Sequence, residues 1–317
     1  MKKNLLRLLN VLIGTAAVAG FSAYAWHAAD GIDWTRLGTP SALLGILAAG
    51  VASALIIPLS AFAWMRMLRS CGVHRPWGQL ATIMGLTQLG KYLPGNVAQH
   101  IGRLSMSLKA GIPAVPFTTT VVSESLLAIL AAVFFGALAC ALGGAQVVAT
   151  GVLADTAPEH LLPLLLLASI ALIGIVAASP RLINRIAVRR LGSVGAPVPA
   201  ARALMLAFTC YVGNYLVLAA GIWLLSHLLL ENPPSAWLLT GAFALSWILG
   251  FLLPGAPAGL GVREAAMLGI LQAAGGGPEL LPLVVALRMA TMLGDLLCFA
   301  VALLAVRTLR TPPDENP

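Results

Sequence analysis

Hydrophobic residues in this chain come in long unbroken runs, separated by short segments that hold most of the charge. Unbroken runs predict helices, whereas the strands of a membrane barrel would alternate apolar and polar positions. Several runs approach the roughly 20 residues that a helix needs to cross a bilayer. They fall at about residues 5–26, 40–65, 115–142, 161–178, 203–230, 236–253 and 280–306. The expected class is all-α: a polytopic integral membrane protein of seven to eight spanning helices, forming one transmembrane domain over residues 1–317.

Two stretches interrupt this pattern. The first is Gly90-Lys91-Tyr92-Leu93-Pro94-Gly95-Asn96-Val97-Ala98-Gln99-His100-Ile101-Gly102-Arg103. Pro94 removes a backbone donor and Gly95 loosens the chain, so a helix should stop there. Residues 77–90 are apolar but too short to cross, and residues 96–110 are amphipathic, with His100, Arg103 and Lys109. Two half-helices meeting at Leu93-Pro94-Gly95 fit this pattern, as a re-entrant hairpin that enters and leaves by the cytoplasmic face. Broken backbone survives at membrane depth only where protein buries it or where it lines a wet cavity. The alternative is a cytoplasmic loop between two spans.

The second interruption is Leu253-Pro254-Gly255-Ala256-Pro257-Ala258-Gly259-Leu260-Gly261-Val262-Arg263-Glu264, followed by a short apolar piece at residues 265–274. Each broken segment follows a pair of spans and precedes another. That suggests an internal duplication, with repeats at 1–142 and 200–307, and carriers with such repeats place their site at the repeat interface. If both broken segments are re-entrant there are seven full spans. If the second crosses there are eight and the tail is cytoplasmic, which Arg307 and Arg310 favour.

Composition agrees with a membrane protein. Charged residues make up 9% of the chain and hydrophobic ones 59%, against about 25% charged in a soluble domain; the mean hydropathy is +0.93. The net charge of +8 comes from basic residues in connecting segments, which the positive-inside rule explains without a nucleic-acid partner. Lys2, Lys3 and Arg7 place the N-terminus in the cytoplasm. Met1-Lys2-Lys3 and Ala23-Tyr24-Ala25 imitate a signal peptide, but the apolar run between them is long for one and reads as an uncleaved span. Arg181, Arg185 and Arg189 recur every fourth residue and, with Arg190, predict an interfacial helix on anionic phospholipids; the alternative is a topology determinant and nothing more. The four cysteines form no CxxC pair, the histidines no HExxH, and no Walker A sequence is present. No metal, cofactor or direct use of ATP is expected, and no enzymatic activity.

The candidate chemistry lies in the broken segments and in the charges inside spans. Lys91 and Arg103 offer cations beside a backbone break, where loose N–H groups bind phosphate; simple snorkelling to the interface is the alternative. Asn96 and His100 add neutral polar contacts, and Tyr92 is placed to pack on an apolar chain. Gly259 and Gly261 would bring backbone close to a ligand. Glu124 lies in a span, with Thr120 one turn before it. Arg288 and Asp295 are two turns apart, about 10 Å along the helix, too far to pair directly. The expected pairs are Glu124 with Arg288, and Asp295 with Arg263 or Lys91. Glu124, Arg263, Glu264, Arg288 and Asp295 are expected to converge on one central cavity, because each would be costly unpaired in hydrocarbon.

Gly90-Lys91-Tyr92-Leu93-Pro94-Gly95-Asn96 with Arg103, followed far downstream by Leu253-Pro254 and Gly259-Leu260-Gly261-Val262-Arg263-Glu264, resembles the flippase-like family named after the transmembrane domain of lysylphosphatidylglycerol synthase, or multiple peptide resistance factor. The second motif departs from the commoner Pro-Gly-Gly-x-Gly form by carrying Ala256-Pro257-Ala258. Full-length synthases add a soluble domain that uses aminoacyl-tRNA, and nothing up to Pro317 corresponds to it. The resemblance therefore implies lipid translocation in a bacterial cytoplasmic membrane. It implies as cargo a phospholipid or a polyprenyl-phosphate-linked sugar for surface-glycan assembly. The rival readings are a non-transporting subunit of a lipid or glycan assembly complex, and an intramembrane transferase acting on a lipid-linked sugar.

Overall fold

The computed structural model describes residues 34–93, 98–143, 197–253 and 256–310, together with Leu167. The expected spans at 5–26 and 161–178 (Leu167 apart), the arginines at 181–190, and Pro94, Gly95, Asn96 and Pro254 lie outside the described residues. The described residues form eight α-helices. They are α1 (Pro40–Ser70), α2 (Trp77–Thr87), α3 (Ala98–Lys109), α4 (Ala114–Gly143), α5 (Ala201–Leu229), α6 (Ala236–Leu252), α7 (Val262–Ala273) and α8 (Leu281–Arg310). Short 3₁₀ turns at Gln88–Tyr92 and Pro257–Gly259 lead into or follow the two breaks. Four helices, α1, α4, α5 and α8, are long and apolar enough to cross a membrane. Before and after residues 144–196 the elements come in the same order: long helix, shorter helix, break, short helix, long helix.

Helix ends follow local chemistry. Thr39 accepts a hydrogen bond from the Ala42 amide, and Pro40 begins α1 without needing a donor. Ser235 caps α6 in the same way through the Leu238 amide. The piece expected at 265–274 starts earlier, at Val262, because the Glu264 carboxylate reaches back 2.7 Å to the Gly261 amide and caps α7.

The centre of the bundle is α1, which packs along α5 and α8. Small residues allow this: a Cβ on Gly221 would meet Ala49 and Ala52, and one on Gly294 would meet the Gly50 carbonyl and Ser53. Without a hydrophobic drive between helices in lipid, such close approach supplies much of the association. The outer faces remain apolar, with Leu43, Leu47 and Val51 of α1 and Leu296, Val301 and Leu304 of α8 exposed.

Pro58 interrupts α1 and leaves the carbonyl four residues back, on Ala54, without its helical donor. The Cys298 thiol of α8 donates to that oxygen at 3.1 Å. The carbonyl of Pro58 itself accepts from the Trp77 indole, 3.0 Å away at the start of α2. An orphaned carbonyl costs about 1–3 kcal/mol. Cys298→Val should therefore lower the melting temperature of the detergent-solubilised protein, while Cys298→Ser, which keeps a donor, should stay near wild type; equal losses in the two variants would refute this role.

Candidate functional site

The first broken segment is a hairpin. Arg75, just before α2, donates to the carbonyls of Ala110 and Gly111, just after α3, at 2.6 and 2.9 Å, so the two feet are tied together. Near the tip, Gly90 touches the backbone of Ala98 and Gln99, so closely that any Cβ there would collide. Gln99 donates to the Gln88 side chain at 3.0 Å across the same gap. The chain thus enters and leaves on one side, as the half-helix pattern predicts.

Asp295, at the middle of α8, holds the tip of this hairpin. Its carboxylate accepts from Gln88 at 2.9 Å, from Lys91 at 2.7–2.8 Å and from the Tyr92 hydroxyl at 2.5 Å. Three donors from one short segment satisfy a charge that is almost fully buried. The other arm is held by Arg103. Its guanidinium makes a bidentate pair with Glu124 of α4, at 2.9 and 2.7 Å, and lies 3.9 Å from the centre of the Trp64 ring. The Trp64 indole in turn donates to Thr120, one turn before Glu124.

The second break is tighter. Ala258, Gly259 and Gly261 all have positive φ, at 51°, 70° and 79°. For Ala258 this left-handed geometry costs roughly 1–2 kcal/mol, because its Cβ crowds the following carbonyl. Arg288 of α8 meets Glu264 at 3.4 Å and donates to the Ala258 carbonyl at 3.4 Å, so it holds both sides of the turn. The stem of Arg263 runs between Gly250 and Gly259, where a Cβ on either would strike it. Its guanidinium lies 5.1 Å from the Phe243 ring centre. Among the described residues no carboxylate pairs with it.

These elements enclose a cavity of about 300 Å³. Lys91, His100, Arg103, Glu124, Arg263 and Asp295 line it, as do Gln88, Gln99, Tyr211 and Asn214. The wall extends to Phe251, which is exposed beside the equally exposed Leu249 and Leu252. The cavity therefore reaches the apolar outer face of the bundle.

The outcome for the expected charges is mixed. Asp295 pairs with Lys91, one of its two expected partners. Glu124 pairs with Arg103 and not with Arg288, because the hairpin brings Arg103 within 2.7 Å of it while Arg288 is turned to Glu264. Arg288 is taken by Glu264 instead. Those two line a smaller pocket of about 20 Å³, which shares Phe243, Arg263 and Thr291 with the main cavity. Lys91 and Arg103, read from sequence as phosphate ligands, each carry a carboxylate already. The Gly261 amide is likewise occupied, by Glu264.

Sequence reasoning passed over Gln88, Gln99, Trp64, Tyr211 and Asn214. A signal for the last two existed: Tyr211, Asn214 and Tyr215 recur at helical spacing inside an otherwise apolar span, and all three line the cavity.

Spanning helices around a polar cavity built from broken helical segments define a class, the multi-pass α-helical membrane protein with an internal polar site. Within it, the chain belongs to the family described as the lysylphosphatidylglycerol synthase TM region, which matches residues 9–306. The resemblance read from the two broken motifs is thus borne out over nearly the whole length. No curated protein sequence gives a significant match.

Removing one partner of a buried ion pair costs about 3–5 kcal/mol, whereas replacing both with apolar residues of similar volume is often neutral. The side chains of Arg103 and Glu124 are only 5% and 16% exposed. Glu124→Gln should accordingly destabilise the protein strongly in thermal or denaturant unfolding, and Arg103→Met with Glu124→Leu should recover most of the loss. A double variant no better than the single would show that the pair itself, not the stranded charge, carries the stability.

Proposed function

We propose that this protein translocates a lipid with an anionic headgroup across the bacterial cytoplasmic membrane, its N-terminus in the cytoplasm, without altering the cargo chemically. The observation that carries this reading is Arg263: a cation without a carboxylate partner among the described residues, held in a polar cavity that reaches an apolar outer face. A phosphate headgroup leaving the interface loses hydration, and fixed cations with polar side chains replace part of it. The apolar mouth at Phe251 lets acyl or prenyl chains stay in the bilayer while the headgroup enters. Lys91 is the second contact. Its side chain is 25% exposed, so a phosphate oxygen arriving in the cavity competes with Asp295 for it. Membership of a family described by a lipid synthase's transmembrane region supports a lipid as cargo. A phospholipid and a polyprenyl-phosphate-linked sugar both fit this chemistry.

The test is a proteoliposome assay with headgroup-labelled lipid of each kind. A hydrogen bond to a charged group contributes about 1.5–3 kcal/mol, so Arg263→Gln should slow translocation by about tenfold or more, with unchanged melting. Lys91→Gln should also slow it, and a simple snorkelling lysine would not. Wild-type rates equal to those of protein-free liposomes for both cargoes would sink autonomous transport and favour a non-transporting subunit.

A further inference from the structure

The charges around the cavity do not cancel. Among the described residues that line it, the cations are Lys91, Arg103 and Arg263 and the anions are Glu124 and Asp295, with His100 counted as neutral. Two of the cations are matched one to one, Lys91 by Asp295 and Arg103 by Glu124. The neighbouring Glu264–Arg288 pair is neutral in itself. One positive charge is left over, and it belongs to Arg263.

Arg263 is the one of the three placed by packing alone. Its stem is packed against Gly250 and Gly259, where a Cβ on either would strike it. Phe243 lies against its guanidinium. A cation fixed by packing, and not by a carboxylate, keeps its donors for a ligand.

A second set of groups is unsatisfied on the α5 wall. Tyr211 and Asn214 are each 5% exposed, and both line the cavity. Among the described residues the Tyr211 hydroxyl and the side-chain oxygen of Asn214 have no hydrogen-bond partner, as is true of His100 Nδ1 and Arg103 Nε on the hairpin side; the Asn214 amide nitrogen donates to Ser60 at 3.0 Å. Buried polar groups are nearly always satisfied, so two on one helix, one turn apart, point to a ligand's own polar groups. Hydroxyls suit them, since a hydroxyl both donates and accepts. The space is small: about 300 Å³ is the volume of roughly ten water molecules.

We propose that the cavity selects a singly charged phosphodiester bearing a small hydroxylated group, such as glycerol or one sugar ring, with Arg263 as the residue that reads the phosphate and Tyr211 and Asn214 as those that read the hydroxyls. This rests on the lipid-translocation reading above and narrows its cargo. One phosphodiester monoanion neutralises the cavity. A pyrophosphate brings at least one charge more than Arg263 balances, and among the described residues it is met only by drawing Lys91 from Asp295 or Arg288 from Glu264. A glycerophospholipid and a prenyl monophosphate sugar share the selected chemistry.

Four labelled cargoes in proteoliposomes of the full chain separate these cases: phosphatidylglycerol, a prenyl monophosphate monosaccharide, the matching pyrophosphate, and phosphatidylcholine. The first two distinguish the glycerol from the sugar source. At least one of them should move about tenfold or more faster than the pyrophosphate lipid. Arg263→Gln should abolish that preference, and Ser125→Lys, which adds a cation to the cavity wall, should raise the relative rate of the pyrophosphate lipid. Tyr211→Phe removes a hydroxyl that has no partner to lose, so it should preserve the fold while reducing the preference for phosphatidylglycerol over phosphatidylcholine. Retention of each lipid by delipidated protein, read by native mass spectrometry, gives the same ranking without transport. Equal or stronger binding of the pyrophosphate lipid would overturn the charge selection even if flux is robust. Absence of flux with the ranking intact would instead overturn translocation alone.

Discussion

A charge taken from water into the interior of a helical bundle must find a counter-charge or face a wet cavity. Seven charged side chains of the described bundle meet this constraint, and the way they meet it sets the architecture. Three pairs form, and each ties one part of a broken segment to a long helix. Lys91 is tied to α8, Arg103 to α4, and Glu264 to α8. Of the short helices, α2 and α7 bury apolar side chains in the core, whereas α3 buries only Arg103 and Ser107. The pairs and the close contacts at Gly90, Gly250 and Gly259 fix the broken segments themselves.

The two halves solve the same problem with opposite signs. In the first, an arginine on the short helix meets a glutamate on the following long helix, Arg103 to Glu124. In the second, a glutamate on the short helix meets an arginine on the long one, Glu264 to Arg288. The bond lengths differ: the first pair is bidentate at 2.7–2.9 Å, the second a single contact at 3.4 Å. Glu264 is divided between Arg288 and the helix cap at Gly261, and Arg288 between Glu264 and the Ala258 carbonyl. This leaves Arg263, next in sequence to Glu264, to point about 100° away around the helix and into the cavity.

Irregular backbone inside the bundle is matched by side chains brought from elsewhere. Pro58 frees a carbonyl on Ala54, and Cys298, 244 residues later, supplies the donor. Arg75 closes the feet of the hairpin through two carbonyls. Buried side-chain atoms without a partner among the described residues then gather on the hairpin (His100, Arg103, Ser107), on α5 (Tyr211, Asn214) and at Arg288.

Much of this molecule is written in local pattern. The long helices follow from unbroken apolar runs, and the breaks follow from Pro94 and from the Pro-Gly-rich segment after α6. The family follows from the two motifs that flank those breaks. Even the Lys91–Asp295 pair was among the expected alternatives, since a buried cation and a buried carboxylate have few places to go. Partner choice among the remaining charges was not legible. Charge signs permit Glu124 to pair with Arg288 as readily as with Arg103. Only packing, which lays α3 against α4 and the second break against α8, selects among the permitted pairs. The unpaired state of Arg263 has the same origin. It is a remainder left after the other described charges around the cavity have been matched in three dimensions, and helical periodicity carries no information about distances between helices.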